Sequence, residues 1–467
     1  MRAAAGPATH RERVRLATAL HDTAPVRDLD DLLVPFHEAC KPAERFRVGT
    51  EAEKPGLLLP ERTPLPFEGP RSVARVLSLL HERHGWQPER EHAQGPEIAL
   101  RRGQASITLE PAGQLELSGA PLTTIHETRQ ELDNHLSELR AVSAELGIGW
   151  LSLGFHPFAT HADLPHVPKL RYAIMERYLP TRGPRSLDMM RRTCTVQANL
   201  DYASEEDAVR KLRVSLALQP IATAMFANSP FYEGRVSELL CQRAAVWLDM
   251  DPDRSGLLPF AWERDFGFAR YVEWALDVPM FLIKRGDRVI ESTHRTFRTF
   301  MRDGDGDERA TLYDWELHLN TLFPEARLKR ILELRGADAQ SAERTCALPV
   351  LWRGLLYDAQ ALAGAERLVA GLDHRTVQAV RPEIARNGLR AVLAGRPVQR
   401  WAEDLLDLAR GGLQRLRALD AQGRDESIHL DPIASLIGRG LTPADALLAA
   451  VRGATDFKAA VSAAAAL

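Results

Sequence analysis

Only four of the 467 residues are cysteine, at Cys40, Cys194, Cys241 and Cys346, and no two form a CxxC pair. That scatter excludes a disulfide framework and fits buried thiols in a reducing, cytoplasmic setting. Charge of one sign is also lacking: 60 Lys and Arg face 63 Asp and Glu, for a net charge of -3. A chain so balanced carries no basic field for nucleic acid and no polybasic stripe for a membrane surface. No apolar run approaches the ~20 residues that span a bilayer. Internal repeats and low-complexity linkers are absent, apart from the alanine-rich last residues 456–467. The start, MRAAAGPATHRERVRL, has Arg and Ala but no apolar signal core, so residues 1–30 read as a flexible lead-in.

The familiar catalytic signatures are missing too. The chain holds no GxxxxGK[ST] phosphate loop, no GxGxxG after a strand and no GxSxG elbow. His81 and His84, or His161 and His166, lack zinc spacing with a partner glutamate. Asp303, Asp305 and Asp307 alternate as in a calcium loop, but the required glycine and terminal glutamate are absent. A surface loop is expected there.

What is present is an ordinary globular composition, 45% hydrophobic and 26% charged, with patterns of both periods. Helices are predicted over Asp28–Cys40, Ser72–Arg83, Thr123–Leu146 and from Ser204, the last interrupted near Pro220. Strands are predicted at Phe46–Val48 and onward, at Gly149–Phe155, around Thr195–Asp201 and over Ile331–Arg335. From Asp338 the pattern is nearly all helical. The expected class is α+β: a curved, largely antiparallel sheet flanked by helices, with a helical C-terminal region. Residues 31–455 read as one catalytic domain, sheet-rich to about 337.

Four segments carry candidate chemistry. In FRVGTEAEKPG, Glu51 and Glu53 project from one strand face, where like charges repel unless a cation holds them. A wet strand face accounts for the pair alone more simply. In TLEPAGQLELSGAP, Glu110 and Glu116 stand among apolar residues, and Gln114 shares a face with Glu116; a metal site or a half-exposed strand suits them equally. In RTCTVQANLDY, Thr195, Gln197, Asn199 and Asp201 face one way. This suits either a ligand-lined groove or a solvated sheet face. In RLKRILELRGAD, Glu333 and Arg335 share a face. They suit a metal and a phosphate, or a surface ion pair of little weight. Several carboxylates with no phosphate loop point to magnesium and to an ATP-using ligase or kinase.

At these same segments the chain resembles the plant and proteobacterial type of glutamate–cysteine ligase. That family reads GTEHEKFG, LEPGGQFELSGAP, RTCTVQVNLDF and LKRYMEMRGAD; this chain reads GTEAEKPG, LEPAGQLELSGAP, RTCTVQANLDY and LKRILELRGAD. KLRYAIM, LALQPIATAMFANSPFYEG, DRSGLLPF, ALDVPM and CALPVLWRGLLYD match as well. The resemblance runs from about Leu32 to about Gly453. It implies a fold related to glutamine synthetase and an ATP-dependent ligase of cytoplasmic, glutathione-forming metabolism. Glutamate is phosphorylated on its γ-carboxylate and then attacked by the cysteine amine. By position it assigns Glu51, Glu53, Glu110, Glu116, Gln197 and Glu333 to magnesium. Arg171 and Arg243 go to glutamate, and Lys54 and Arg335 to the nucleotide phosphates. Thr195 and Asn199 line the same strand face. The family often has Tyr where Phe281 stands, which opens a different amine acceptor as an alternative. A catalytically inactive nucleotide-binding homologue is the other. ATP, glutamate and cysteine are the expected partners, with no nucleic acid or membrane, in a monomer or homodimer.

Overall fold

A computed structural model describes residues 25–92 and 94–467. Most of the expected lead-in falls at residues 1–24, outside the described residues. Pro25 bridges Thr311, and Val26 donates to the Ala310 carbonyl at 2.9 Å.

The centre is an eight-stranded sheet. Its strands in chain order are β1 (Val48–Lys54), β2 (Gln87–Glu89), β3 (Ala99–Arg102), β4 (Ala105–Leu109), β5 (Leu115–Ser118), β6 (Thr195–Leu200), β7 (Ala326–Leu328) and β8 (Leu332–Asp338). Their spatial order is β7-β8-β6-β1-β5-β4-β3-β2. Every neighbouring pair is antiparallel. The central strands come from distant stretches of sequence, so their side chains meet only on folding.

Helices pack against one face of the sheet, and others frame the rim of the opposite face. They are α1 (Leu29–Ala39), α2 (Val73–His84), α3 (Ile125–Leu146), α4 (Leu170–Tyr178), α5 (Ser186–Arg192), α6 (Glu205–Met225), α7 (Gln242–Leu248), α8 (Ala347–Leu356), α9 (His374–Asn387) and α10 (Val398–Leu416). Polar residues cap three of these helices. Ser72, Thr124 and Ser204 each accept a backbone N–H three residues on, contributing about 1 kcal/mol apiece. Helix α3 stops at Gly147, whose φ of 62° is a left-handed conformation suited to glycine. Helices α2 and α3 pack together, α6 lies on β8, and α8 lies on β6 and β1. The inward residues Val48, Ala52, Val196, Ala198, Leu200, Leu332 and Leu334 are buried in this layer.

Two expectations are corrected. Helix α6 runs through Pro220 to Met225 without a break, because every residue from Val214 to Met225 is buried and packing holds the turn. Gly149–Phe155 is not one strand. Only Ile148–Trp150 is, in a small three-stranded sheet, and beyond it single bridges tie Leu151 to Ala466 and Phe155 to Thr193. The alanine-rich end folds as a helix, Phe457–Ala464, capped by Asp456. Its Val461 and the following Ala465 are buried against Leu57, Leu151 and Leu153.

Candidate active site

The helix-free face of the sheet floors a cavity of about 420 Å³, ordinary in size for a small-molecule site. Glu51, Glu53, Glu110, Glu116, Thr195, Gln197, Arg171, Arg243, Phe281 and Arg335 all line it. Helices α4, α5 and α7 frame its rim with Arg171, Met190 and Arg243.

Strand register arranges the floor in rows. Glu51 stands between Gln197 on β6 and Ser118 on β5, and Glu53 is paired with Glu116. Glu116 is in turn paired with Thr108 on β4. Asn199 lies one row away, beside Glu333. Three carboxylates from β1 and β5 are thus packed on one face, as the period of two requires.

Their electrostatics follow from that crowding. Burial, with Glu333 and Glu116 nearby, pushes the Glu51 carboxyl up to about 7. Burial, with Glu110 and Glu116, raises Glu53 well above the usual carboxylate range. Glu116 is raised by burial and by Glu110, although hydroxyls of Thr108 at 2.5 Å and Ser118 at 2.9 Å donate to it. The backbone N–H of Thr195 donates to Glu53 at 2.9 Å, and the Asn199 amide donates to Glu51 at 2.9 Å. Asn199 Oδ1 and Thr50 Oγ1 are buried without a partner. Hard oxygen donors that repel one another, beside an amide oxygen awaiting a partner, fit a hard divalent cation. Among the described residues no three His, Cys, Asp or Glu side chains gather into a compact cage.

Three candidates do not line the cavity: Asn199, one row away beside Glu333, then Lys54, and Glu333 itself. Lys54 lies on the opposite face of β1, with Ala52, because the period of two that turns Glu53 toward the cavity turns its neighbour away. Its ammonium is buried in the helix-packed layer, donates to the Ala52 carbonyl at 3.1 Å, and is pushed by burial down to about 8. It does not line the cavity, so a direct role at the phosphates is not what its position offers. Glu333 is fully buried and saturated. Arg327 bonds both its oxygens at 2.7 and 2.8 Å, Lys329 pairs with it at 2.7 Å, and Arg335 closes on it as well. Burial would raise this carboxyl, but those three cations hold it well below the usual range. A carboxylate so neutralised has no free lone pair for a metal. Its work is to hold Arg335, which also donates to Gln197 Oε1 at 2.8 Å.

Phe281 is 1% exposed. Its ring lies under the Arg254 guanidinium at 3.9 Å and in edge contact with Tyr178 at 5.7 Å. Arg171 stacks on Tyr172 at 4.9 Å, and Arg243 donates to the Arg335 carbonyl at 2.8 Å. The sequence reading missed Lys169, Tyr172, Trp247, Phe323 and Arg327, which also line the cavity. Arg327 alone was foreshadowed: it sits opposite Glu333 across the hairpin that RLKRILELR forms.

The glutamate–cysteine ligase family 2 model matches residues 47–462. The chain is 44% identical over 423 residues to glutamate–cysteine ligase A, chloroplastic, of Oryza sativa subsp. japonica, covering 90% of this chain and 84% of that one. It is 43% identical over 428 residues to glutamate–cysteine ligase, chloroplastic, of Arabidopsis thaliana, covering 91% and 80%. A solved structure of a bifunctional glutathione synthetase from Pasteurella multocida has the same fold, at a TM-score of 0.51 and 12% identity, covering 93% of this chain and 53% of that one.

Proposed function

The chain belongs to glutamate–cysteine ligase family 2, and we propose that its carboxylate-floored cavity is where ATP, glutamate and cysteine react. The protein is an ATP-dependent carbon–nitrogen ligase that makes γ-glutamylcysteine. What carries the site proposal is the meeting of Glu51, Glu53, Glu110, Glu116, Arg171, Arg243 and Arg335 on one cavity.

A carboxylate is a poor electrophile, and phosphorylation supplies the leaving group. A γ-carboxylate oxygen of glutamate attacks the terminal phosphorus of ATP, and the bond to the ADP oxygen breaks. The amine of cysteine then attacks the acyl carbon of γ-glutamyl phosphate. The bond to phosphate breaks and the amine loses its proton. Such steps depend on in-line positioning and on neutralising phosphate charge. Glu51, Glu53, Glu110 and Glu116, with the amides of Gln197 and Asn199, are the residues proposed to hold magnesium. When bound, magnesium screens the phosphate oxygens from the attacking carboxylate. Arg335 is proposed to meet the phosphates, held in place by Glu333 and Gln197. Arg171 and Arg243 lie on opposite sides of the carboxylate rows. Glutamate carries two carboxylates and is proposed to lie between them, with Thr195 beside Glu53 on the floor. Phe281 offers the acceptor an apolar wall without a hydroxyl.

The test is phosphate release with ATP, magnesium, glutamate and a panel of amines. Cysteine is expected to give the largest turnover; a rate no greater than with water would overturn the assignment. A second outcome follows from the raised carboxylates. A carboxyl whose folded pKa lies above its unfolded value costs stability as pH rises through the folded pKa. Without metal, the folded protein therefore loses the contribution of Glu51 between about pH 4.5 and about 7. Magnesium restores it, and competes with protons below about 7. Magnesium is expected to raise the melting midpoint more at pH 8 than at pH 6. An equal or reversed difference in a thermal-shift assay would remove these carboxylates from the metal site.

For location we propose the cytoplasm. The four cysteines are free, and among the described residues no helix is long and apolar enough to cross a membrane. The plant relatives are named chloroplastic, so fractionation of the native host decides this point.

A further inference from the structure

Lys169 immediately precedes α4, and its side chain is 8% exposed. It lines the active cavity and also a second cavity of about 250 Å³ that α4 helps to line. Its Nζ donates to the Leu109 carbonyl at 2.8 Å and makes a longer contact, 3.4 Å, with the Tyr172 hydroxyl. That hydroxyl donates to the same carbonyl at 2.7 Å and accepts from Arg171 Nη2 at 3.1 Å. Lys169, Tyr172 and Arg171 are therefore built around the end of β4, one residue before Glu110. An ammonium has three N–H donors, and two contacts leave a third beside the cavity.

Position on the sheet says which substrate meets it. Arg327, Lys329 and Arg335 gather at β8, on one side of the carboxylate rows. Lys169 and Arg171 gather at β4, on the other side, with β6, β1 and β5 between. Two cationic margins across an acidic floor suit two anionic reactants that must meet in the middle. Phosphates of the nucleotide suit the β8 margin, where Arg335 lines the cavity and is anchored by Glu333. The β4 margin then takes a carboxylate of the amino acid that is phosphorylated.

Resting on the ligase reading above, the geometry points to Lys169 as a glutamate-binding residue that shares one substrate carboxylate with Arg171. Tyr172 is a positioning residue that fixes both cations against the Leu109 carbonyl. The partner is a free amino dicarboxylate, recognised at one end by a paired guanidinium and ammonium.

The experiment compares Lys169→Gln, Lys169→Met and Lys169→Arg in the full-length enzyme. Gln keeps a donor for the Leu109 carbonyl but no charge; Arg keeps the charge. Loss of a hydrogen bond to a charged group corresponds to a change of about 10–100-fold. Lys169→Gln and Lys169→Met are expected to raise the KM for glutamate by that factor, with the KM for ATP within about twofold of wild type. Lys169→Arg is expected to recover most of it. A purely structural lysine would lower the melting midpoint while leaving glutamate KM alone. If Met does not fold, Gln decides. A glutamate KM within twofold of wild type in folded Lys169→Gln overturns the inference. If wild type makes no γ-glutamylcysteine, the ligase reading fails by itself. Calorimetric titration of wild type and Lys169→Gln with glutamate alone still separates the two: equal affinity, or no binding to either, rejects Lys169.

Discussion

Glu53→Gln is expected to lower kcat for γ-glutamylcysteine formation by at least about 10²–10³-fold, the scale for removing one charge-stabilising group from an active site. The substitution is nearly isosteric and keeps an oxygen acceptor for the Thr195 N–H, which donates to Glu53 at 2.9 Å. What it removes is a charge. In the metal-free protein that charge is unwelcome: burial and the nearby Glu110 and Glu116 raise the Glu53 carboxyl well above its usual range. Taking it away relieves repulsion, so the variant is expected to fold at least as stably as wild type. Loss of activity with retained or raised stability is the signature of a group kept for function at a cost in stability. The measurement is paired: turnover by phosphate release, and melting midpoint without magnesium. Near-wild-type turnover would sink the proposed metal role of the β1 carboxylates. A large drop in midpoint would show that Glu53 stabilises the fold and that its raised carboxyl has been misread. Glu116→Gln should behave alike in turnover, with a smaller gain in stability, because Thr108 and Ser118 already donate to it.

The contrast between Glu53 and its neighbour Lys54 shows what could be read before folding. Alternation along TEAEK puts Glu51 and Glu53 on one face and Ala52 and Lys54 on the other, and β1 obeys it. Lys54 was assigned from a family position, and parity places it off the cavity. The same parity correctly gathered Thr195, Gln197 and Asn199, and paired Glu333 with Arg335. It could not say that Glu333 is saturated, since that depends on the hairpin bringing Arg327 and Lys329 back across β8. Nor could it reach Lys169, Tyr172 or Trp247. Those side chains enter the cavity from helix ends, and helical spacing does not reveal which cavity a helix end overlooks. Pro220 failed as a break for a related reason: buried neighbours on all sides of α6 outweigh a local preference.

Glu333→Leu is expected to be the most damaging single change to stability in the site, about 3–5 kcal/mol, the scale for removing one partner of a buried ion pair. The carboxylate is completely buried, and its partners are less than a quarter exposed: 8% for Arg327, 21% for Lys329 and 12% for Arg335. Leucine fills the space but leaves three cations facing an apolar group. Arg327 keeps bonds to the Asn320 and Leu322 carbonyls at 2.8 Å, so its head stays in place rather than swinging to water. The sign with pH is the reverse of Glu51. A carboxyl whose folded pKa lies below its unfolded value adds stability above the unfolded pKa, and the gain is lost as pH falls through the folded one. The deficit of Glu333→Leu should therefore be full at pH 7 and shrink only below about 4.3, where the unfolded glutamate takes up its proton. Urea unfolding at pH 7 and in acid measures both. A midpoint equal to wild type at pH 7 would mean that Glu333 does not anchor this cluster. Arg335 would lose its anchor in the same variant, so activity falls as well. The two substitutions then part cleanly: Glu53→Gln removes catalysis and spares the fold, whereas Glu333→Leu removes both.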